Sequence, residues 1–276
     1  MTLLNEVRRL SERFRGAPDA SGALNEPAMI ARGWNNYAKD WKSRKFPVSP
    51  GHEVQHLGDE WTAEDDVSGS SPTYGLPPEE VDRFDAYISE GLLDPYLPAH
   101  AEAGLEIGPG GGRLTKLLLS RTDVLHAADA SAAMLAHLRE RFGGTSRLHM
   151  HRIDGKTLPP LAASSLDFVF AFDVFVHFEP RLVYWYLRQA VPLLKPGGVG
   201  IIHYSNALTA IGWRHFLKDL EVNVEGRRHF AAFGVMCPAL MERFLASLDL
   251  EVVTLDVGLI PRDAVTVFRT RASASA

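Results

Sequence analysis

The chain has 276 residues, of which 46% are hydrophobic and 23% charged, a composition typical of a globular protein with a sizeable core. Its 29 basic and 34 acidic residues leave a net charge of −5. Residues 1–100 alone carry 10 basic and 17 acidic residues, a net −7. This balance argues against a nucleic-acid partner, because binding to a phosphate backbone depends on clustered positive charge.

Cysteine content and apolar runs narrow the class of protein further. The single cysteine, Cys237, excludes an intramolecular disulfide and a cysteine-based zinc cluster. No apolar run approaches the roughly 20 residues of a membrane span, so we expect no membrane association. Residues 1–16 mix acidic with basic side chains and lack the apolar core of a signal peptide. Their spacing predicts a short amphipathic helix, and we expect a cytoplasmic protein.

Residues 1–78 are predicted to form an N-terminal extension, because they show no alternation of strand and helix patterns. The extension has two turn-rich stretches, at 46–53 and 65–78. Its tryptophans and tyrosines are Trp34, Tyr37, Trp41, Trp61 and Tyr74. Such an aromatic content is untypical of a disordered segment. We therefore expect the extension to fold over the rest of the chain as a lid.

Residues 79–270 are predicted to form one α/β domain. After a helix over 79–98, short apolar strands alternate with helices, which is typical of a mostly parallel sheet covered on both faces. The predicted strands are 103–108, 124–129, 147–154, 166–173, 199–206, 251–257 and 264–270. The link between the last two is too short for a crossover helix, so they should pair antiparallel. We expect a Rossmann-like, mostly parallel seven-stranded sheet with an antiparallel last strand, and a disordered tail over 271–276.

A glycine-rich motif follows the first predicted strand, where ligands bind in open α/β sheets. Gly108, Gly110 and Gly112 form G-x-G-x-G between a strand and a helix, and glycine lets the backbone turn sharply and approach a ligand. The dinucleotide fingerprint requires a glycine at the position of Arg113, which argues against NAD or FAD. Asp129 ends the second strand, where a carboxylate can accept hydrogen bonds from both hydroxyls of a ribose.

Further polar side chains lie at neighbouring strand ends. Asp154 and Gly155 end the third strand, where they could meet an adenine edge, and Glu106 precedes the glycines. Nothing in this set resembles a phosphate cradle with its lysine. The predicted ligand is therefore a nucleoside without a triphosphate.

Five motifs in order resemble those of class I S-adenosylmethionine-dependent methyltransferases over roughly residues 80–270. They read LEIGPGGGR, HAADAS, RIDG, LDFVFAFDVFVHF and LLKPGGVGIIHYSN. The resemblance implies S-adenosylmethionine as cofactor, with its methionine part near Glu106, Gly108 and Gly110. It implies that Asp129 holds the ribose, that Asp154 and Gly155 border the adenine, and that the segment from Asp173 to Phe178 borders both cofactor and acceptor.

The segment after the fourth strand indicates the kind of acceptor. It reads DVFVHF and lacks the Asn-Pro-Pro-Tyr type of sequence associated with transfer to amino groups, which favours a hydroxyl acceptor. A hydroxyl acceptor needs a base to take its proton during the reaction. We predict His177 for this role, with Asp173 orienting it and His203 as the second choice. Aromatic rings beside carboxylates suit sugars, so we expect a sugar or oligosaccharide acceptor, in a general similarity to actinobacterial sugar O-methyltransferases.

A metal and two other functions remain as alternatives. Asp173 and Asn206 lie at the two strand ends where the catechol-type methyltransferases bind Mg²⁺, although Ser205 stands where a second aspartate would complete the ligand set. The acceptor could instead be a lipid-like or secondary metabolite, methylated on oxygen or nitrogen. The chain could also be a cofactor-binding protein that keeps the fold without catalysis, because fold alone does not give function.

Overall fold

The computed structural model describes residues 26–39, 45–49, 52–55, 83–225, 230 and 232–272. The predicted helix over 1–16, most of the predicted lid and residues 273–276 of the predicted tail lie outside this part. The same holds for Trp41, Trp61 and Tyr74. Of the tail, Arg271 is described, and its Nε lies 2.9 Å from Asp249 Oδ1.

Three elements of the extension are described. Helix α1 spans Glu26–Lys39, and strands β1 (Lys45–Ser49) and β2 (His52–Gln55) pair antiparallel. The sequence pattern did not predict this pair, because Pro47 and the Ser-Pro-Gly stretch read as turn signals.

The α/β domain follows in the predicted order. Its helices are α2 (Phe84–Ile88), α3 (Asp94–Tyr96), α4 (Thr115–Leu119), α5 (Ala132–Phe142), α6 (Pro180–Ala190), α7 (Ala210–Val224) and α8 (Pro238–Ser247). Its strands are β3 (Ala101–Ile107), β4 (Thr122–Asp129), β5 (Leu148–Arg152), β6 (Leu166–Ala171), β7 (Leu194–Ser205), β8 (Glu251–Thr254) and β9 (Asp263–Arg269). A π-helical turn over Ser89–Leu93 joins α2 to α3, so the helix predicted over 79–98 is interrupted.

The seven strands form one sheet in the order β5-β4-β3-β6-β7-β9-β8. The pairs from β5 to β7 are parallel, whereas β9 runs antiparallel to both β7 and β8. This confirms the predicted fold class. Because the chain turns from one side of β3 to the other, the carboxyl ends of β3, β4 and β6 border the crevice where such sheets bind ligands.

Packing on the two faces of the sheet keeps these strand ends in place. One core contains Leu105, Val169 and Tyr186 with α6 and α8, and the other contains Leu125, Phe168 and Leu118 with α4 and α5. The buried strands are nearly continuous in apolar residues, as expected for a sheet covered on both faces. No helix in the described ranges is long and apolar enough to cross a membrane.

Candidate active site

The glycine-rich loop after β3 has the backbone conformation that its sequence requires. Gly108, Gly110 and Gly112 have φ of +70°, +54° and +92°, values that L-residues with a side chain rarely adopt. The N–H of Gly108 donates to the carbonyl of Ala128 on β4 at 2.8 Å. A Cβ at Gly108 would lie 2.2 Å from Cγ2 of Val174, so this position has no room for a side chain. The loop is therefore held close to the ends of β4 and β6.

Glu106 lies beneath this loop and is 3% exposed. Its Oε2 accepts a hydrogen bond from the Thr115 hydroxyl at 2.7 Å. Burial raises the pKa of Glu106 to about 7, the Thr115 bond opposes the rise, and the negative charge of Asp129 adds to it. A buried carboxyl with such a pKa gains from a positively charged ligand, which the amino and sulfonium groups of S-adenosylmethionine would supply.

We expect Glu106 to make the ligand-free protein less stable as the pH rises. The folded state holds the Glu106 proton up to about pH 7, whereas the unfolded chain loses it near 4.5. The free energy of unfolding should therefore fall between these pH values, by about 2–3 kcal/mol from this group. Glu106→Gln should remove that part of the slope in denaturant titrations from pH 4.5 to 8. Glu102→Gln, on the exposed part of the same strand, is the control, and parallel curves for wild type and Glu106→Gln would contradict the expectation.

Asp129 ends β4 beside the glycine-rich loop. Its carboxylate accepts the N–H of Ser131 at 2.7 Å and further hydrogen bonds from the backbone of Gly110 and Ala130. Burial raises its pKa to about 6, and these backbone donors oppose the rise. The residue keeps partial exposure, and a carboxylate has lone pairs for more than three donors. Asp129 thus joins the loop to the end of β4 and remains able to accept hydrogen bonds from a ribose.

Asp154 and Gly155 occupy a turn after β5. Asp154 Oδ1 accepts the N–H groups of Lys156 (3.0 Å) and Thr157 (2.7 Å), and the Thr157 hydroxyl donates to Oδ2 at 3.2 Å. Burial acts to raise the pKa of Asp154, but these hydrogen bonds hold it below its usual range. In the structure this side chain therefore stabilises its own turn, and a role toward adenine stays a prediction. Gly155 has φ of +84°, and a Cβ there would lie 2.9 Å from the carbonyl oxygen of Pro27 on α1.

Asp173 lies just beyond β6 with φ of +60°. Its N–H donates to Nδ1 of His203 at 3.0 Å, and its Oδ1 lies 3.8 Å from Nη2 of Arg262. The Asp173 side chain is 29% exposed. His203 is fully buried, and its Nε2 lies 3.0 Å from Oδ2 of Asp263. Both ring nitrogens of His203 are therefore engaged inside the protein, and its role as a base stays a prediction.

His177 lies in a 3₁₀ turn over Phe175–His177 and is 7% exposed. Its ring packs at 5.2 Å from that of Trp34 and at 5.6 Å from that of Phe233. Burial lowers the pKa of His177 to about 4, although Asp173 acts to raise it. The imidazole is therefore neutral at pH 7, as a base must be, but it is a weak base and is covered by aromatic rings.

The contacts of the predicted Mg²⁺ ligands do not favour a metal ion. Asn206 is 6% exposed, and its Oδ1 accepts the N–H of Leu208 at 3.1 Å. The guanidinium of Arg262, near Asp173 Oδ1, would repel a cation there. The part of the chain that the structure describes contains no group of three or more His, Cys, Asp or Glu side chains that could hold a metal ion. The structure thus gives no support to the Mg²⁺ prediction.

Helix α1 of the extension lies across this edge of the sheet. Asn35 Oδ1 accepts the N–H of Ala133 at 3.1 Å, at the start of α5, and His137 Nε2 lies 2.7 Å from the carbonyl oxygen of Ala38. Trp34 contacts His177 and packs edge-on against Phe230 at 5.2 Å. Helix α1 therefore contacts both α5, which follows β4, and the turn after β6.

Sequence reasoning missed four residues of the site: Asn35, Thr115, Arg262 and Asp263. Asn35 and Thr115 lie in stretches with a helical pattern, and nothing in the sequence around them indicates a role in a binding site. Arg262 and Asp263 form an adjacent charged pair before an apolar strand, which is unusual for a strand that proves fully buried. That pair was the one available signal, and the partner of Asp263, His203, is 60 residues away in the chain.

Comparison with known proteins agrees with this geometry. Residues 105–199 match the family model described as a methyltransferase domain. A curated relative, the ribosomal RNA small subunit methyltransferase A of Burkholderia multivorans, is 34% identical over 70 residues, 22% of this chain and 26% of the relative. The chain thus aligns with about a quarter of that relative's length.

Solved structures share the fold. A SAM-dependent methyltransferase from Methanosarcina mazei superposes with a TM-score of 0.53 at 14% identity, over 66% of this chain and 98% of its own. A Pyrococcus horikoshii protein superposes with a TM-score of 0.54 at 23% identity, over 72% of this chain and 96% of its own. The fold is that of the class I S-adenosylmethionine-dependent methyltransferases. Together with the family model, it supports a methyltransferase that uses S-adenosylmethionine.

Proposed function

We propose that the protein transfers a methyl group from S-adenosylmethionine to a hydroxyl group of a polar small molecule of the sugar or oligosaccharide class. The observation that carries the methyltransferase part is the contact between the glycine-rich loop and the end of β4, where the backbone of Gly110 donates to Asp129. A carboxylate beside a glycine-rich loop supports the proposal, because such a carboxylate can accept hydrogen bonds from a ribose while the loop backbone contacts the same ligand.

The residues at the site fit the cofactor. Glu106, with its raised pKa, would face the positively charged methionine part, and Asp129 would accept from the ribose hydroxyls. When bound, S-adenosylmethionine supplies a methyl group already activated on a sulfonium. The protein therefore has to align the acceptor and give the hydroxyl proton a place to go.

Asp173 is the proposed proton acceptor. Its carboxylate lies at the end of β6 and is 29% exposed, whereas the His177 ring is buried beside the rings of Trp34 and Phe233. Asp173 would take the proton from the hydroxyl and leave a more nucleophilic oxygen, which would accept the methyl group that S-adenosylmethionine supplies when bound. In this proposal His177 is a packing residue in the turn after β6, where its ring contacts Trp34, and it is not the base.

The acceptor side combines aromatic and polar groups. A small recess opens beyond the end of β7, lined by residues that include Asn206, Asp219 and Phe233. Trp34 and Tyr37 on α1 form an edge-on pair at 5.4 Å. Aromatic faces beside amide and carboxylate groups suit sugar rings, which present both C–H faces and hydroxyls. The net charge of −5 disfavours an RNA acceptor.

The acceptor class is tested by incubating the protein with S-adenosylmethionine that carries an isotopically labelled methyl group and separate pools of acceptors. We expect labelled methyl in products from the sugar pool, stable to conditions that cleave methyl esters. Labelling confined to amines, lipid-like alcohols or RNA would contradict the sugar assignment. Binding of the cofactor with no labelling in any pool would favour a protein that keeps the fold without catalysis.

Trp34 provides a test of the proposed lid in the full chain. Trp34→Ala should raise the KM for the acceptor about tenfold, because one stacking surface is worth about 1–1.5 kcal/mol. Trp185→Ala is the matched control, since Trp185 is 48% exposed on α6 and does not line the recess. Initial rates at a saturating cofactor concentration give both KM values. An unchanged KM in Trp34→Ala would show that α1 does not contribute to acceptor binding.

A further inference from the structure

Asp173 has a backbone conformation that needs outside support. Three residues other than glycine have positive φ among those described, namely Ser164, Asp173 and Asp249. Ser164 and Asp249 lie in exposed turns, whereas Asp173 is partly buried at the carboxyl end of a central strand. A strained residue persists only where its surroundings determine its conformation, and such residues cluster at functional sites.

The first support is the hydrogen bond from the Asp173 N–H to Nδ1 of His203, at 3.0 Å. A backbone N–H can only donate, so Nδ1 must be the unprotonated nitrogen of the ring. The remaining ring proton is therefore on Nε2, which donates to Oδ2 of Asp263 at 3.0 Å. The ring of His203 also stacks on that of Phe172 at 4.2 Å. His203 is thus fixed in both tautomer and orientation.

The second support comes from the start of β9. Arg262 donates from Nε (2.7 Å) and Nη2 (2.6 Å) to the same Oδ2 of Asp263. Burial acts to raise the pKa of Asp263, but Arg262 and His203 hold it at about 2. Arg262 lies 4.6 Å above the ring of Phe233, and its Nη2 faces Asp173 Oδ1 at 3.8 Å. The contacts close a ring from the backbone of Asp173 through His203, Asp263 and Arg262 to the Asp173 carboxylate.

We propose that His203, Asp263 and Arg262 are positioning residues, which hold Asp173 in its strained conformation so that its carboxylate faces the acceptor. The inference rests on the proposed function for the role of Asp173. The contacts that fix the Asp173 backbone, however, are a property of the folded chain and do not depend on that function. His203 and the Arg262–Asp263 pair act on Asp173 from two other strands, β7 and β9. The network therefore fixes the carboxylate relative to the ends of three neighbouring strands.

The strain is tested by comparing Asp173→Gly with Asp173→Ala. Both variants lose the carboxylate and keep the N–H that binds His203, but only glycine adopts positive φ without strain. Both should lose methyl transfer, and Asp173→Gly should have a Tm about 2–4 °C above that of Asp173→Ala. Ser164→Gly and Ser164→Ala are the matched control pair, because Ser164 has φ of +51° in an exposed turn. A Tm of Asp173→Gly equal to or below that of Asp173→Ala, with the expected difference at Ser164, would show that Asp173 is not strained and would overturn the proposal.

The hydrogen bond from the Asp173 N–H to His203 is tested by His203→Phe in the wild-type and Asp173→Gly backgrounds. Phenylalanine can still stack on Phe172 but cannot accept the Asp173 N–H. His203→Phe should lower kcat at least tenfold, with the KM for the acceptor and the affinity for S-adenosylhomocysteine changed less than threefold. Its loss of Tm should be smaller in the wild-type background than in Asp173→Gly, because losing the bond to His203 relieves strain only where residue 173 is an aspartate. His203→Asn, whose amide oxygen can replace Nδ1 as acceptor, should recover part of kcat.

Two results would overturn the positioning role: at least half of wild-type kcat in His203→Phe, or an equal loss of Tm in both backgrounds. The Tm comparison does not depend on the acceptor. If wild-type protein methylated no acceptor, the proposed function would fail, while the coupling between His203 and Asp173 would still be decided by the Tm values.

Discussion

Asp129→Ala should weaken binding of S-adenosylhomocysteine by about 2–4 kcal/mol, or about 30- to 800-fold. The change would remove the proposed hydrogen bonds from the ribose hydroxyls to a charged acceptor. It also removes the group that accepts from the backbone of Gly110, Ala130 and Ser131, so the glycine-rich loop loses one of its connections to the end of β4. The shift of Tm with ligand concentration gives the affinity.

The control for this variant is Asp123→Ala. Asp123 lies on the same strand, but its side chain is 59% exposed and faces His100. We expect wild-type affinity in this variant. If Asp129→Ala bound the ligand within threefold of wild type, the cofactor would not use the end of β4, and the assignment of the site would be wrong.

Asp173→Asn should lower kcat by about 10²–10⁴-fold, the usual contribution of a positioned base. Asparagine has nearly the same size, tolerates positive φ and keeps the backbone N–H, so the main change is the loss of a proton acceptor. Affinity for S-adenosylhomocysteine should stay close to that of wild type. Rapid-quench measurement of a single turnover isolates the chemical step.

Asp249→Asn is the matched control, because Asp249 has φ of +54° in an exposed turn away from the site. It should turn over at the wild-type rate. If Asp173→Asn kept at least a third of the wild-type rate while His177→Asn lost most of it, the original expectation of His177 as the base would return.

The fold could be predicted from the sequence because its signals are local. Each strand is a short apolar run followed by turn residues, and the glycine-rich loop lies between a strand and a helix. Ser131 stands directly before a helical pattern, as is typical of a helix N-cap, and its hydroxyl oxygen accepts the N–H of Met134 at 3.1 Å. The end of α6 has a weaker signal. The helix stops at Ala190, and the Lys-Pro-Gly-Gly stretch, a typical helix end in a sequence, lies within β7.

The residues proposed for the cofactor side could also be chosen from the sequence. Glu106 directly precedes the glycine-rich motif, and Asp129 ends the next predicted strand. The acceptor side could not be predicted in this way, because it depends on contacts between distant segments. Trp34 on α1 covers His177, although the two residues are far apart in the sequence. The hydrogen-bond partners of His203 come from two other segments, the end of β6 and the start of β9. A histidine after a strand looks the same in the sequence whether it is exposed or buried, so its basicity could not be predicted.

Calorimetric titration of the wild-type protein with S-adenosylhomocysteine, and separately with NAD⁺, tests the central claim most directly. The geometry of Glu106, the glycine-rich loop and Asp129 predicts one binding site per chain for S-adenosylhomocysteine and no heat of binding with NAD⁺. Binding of NAD⁺ without binding of S-adenosylhomocysteine would contradict the assignment of the site.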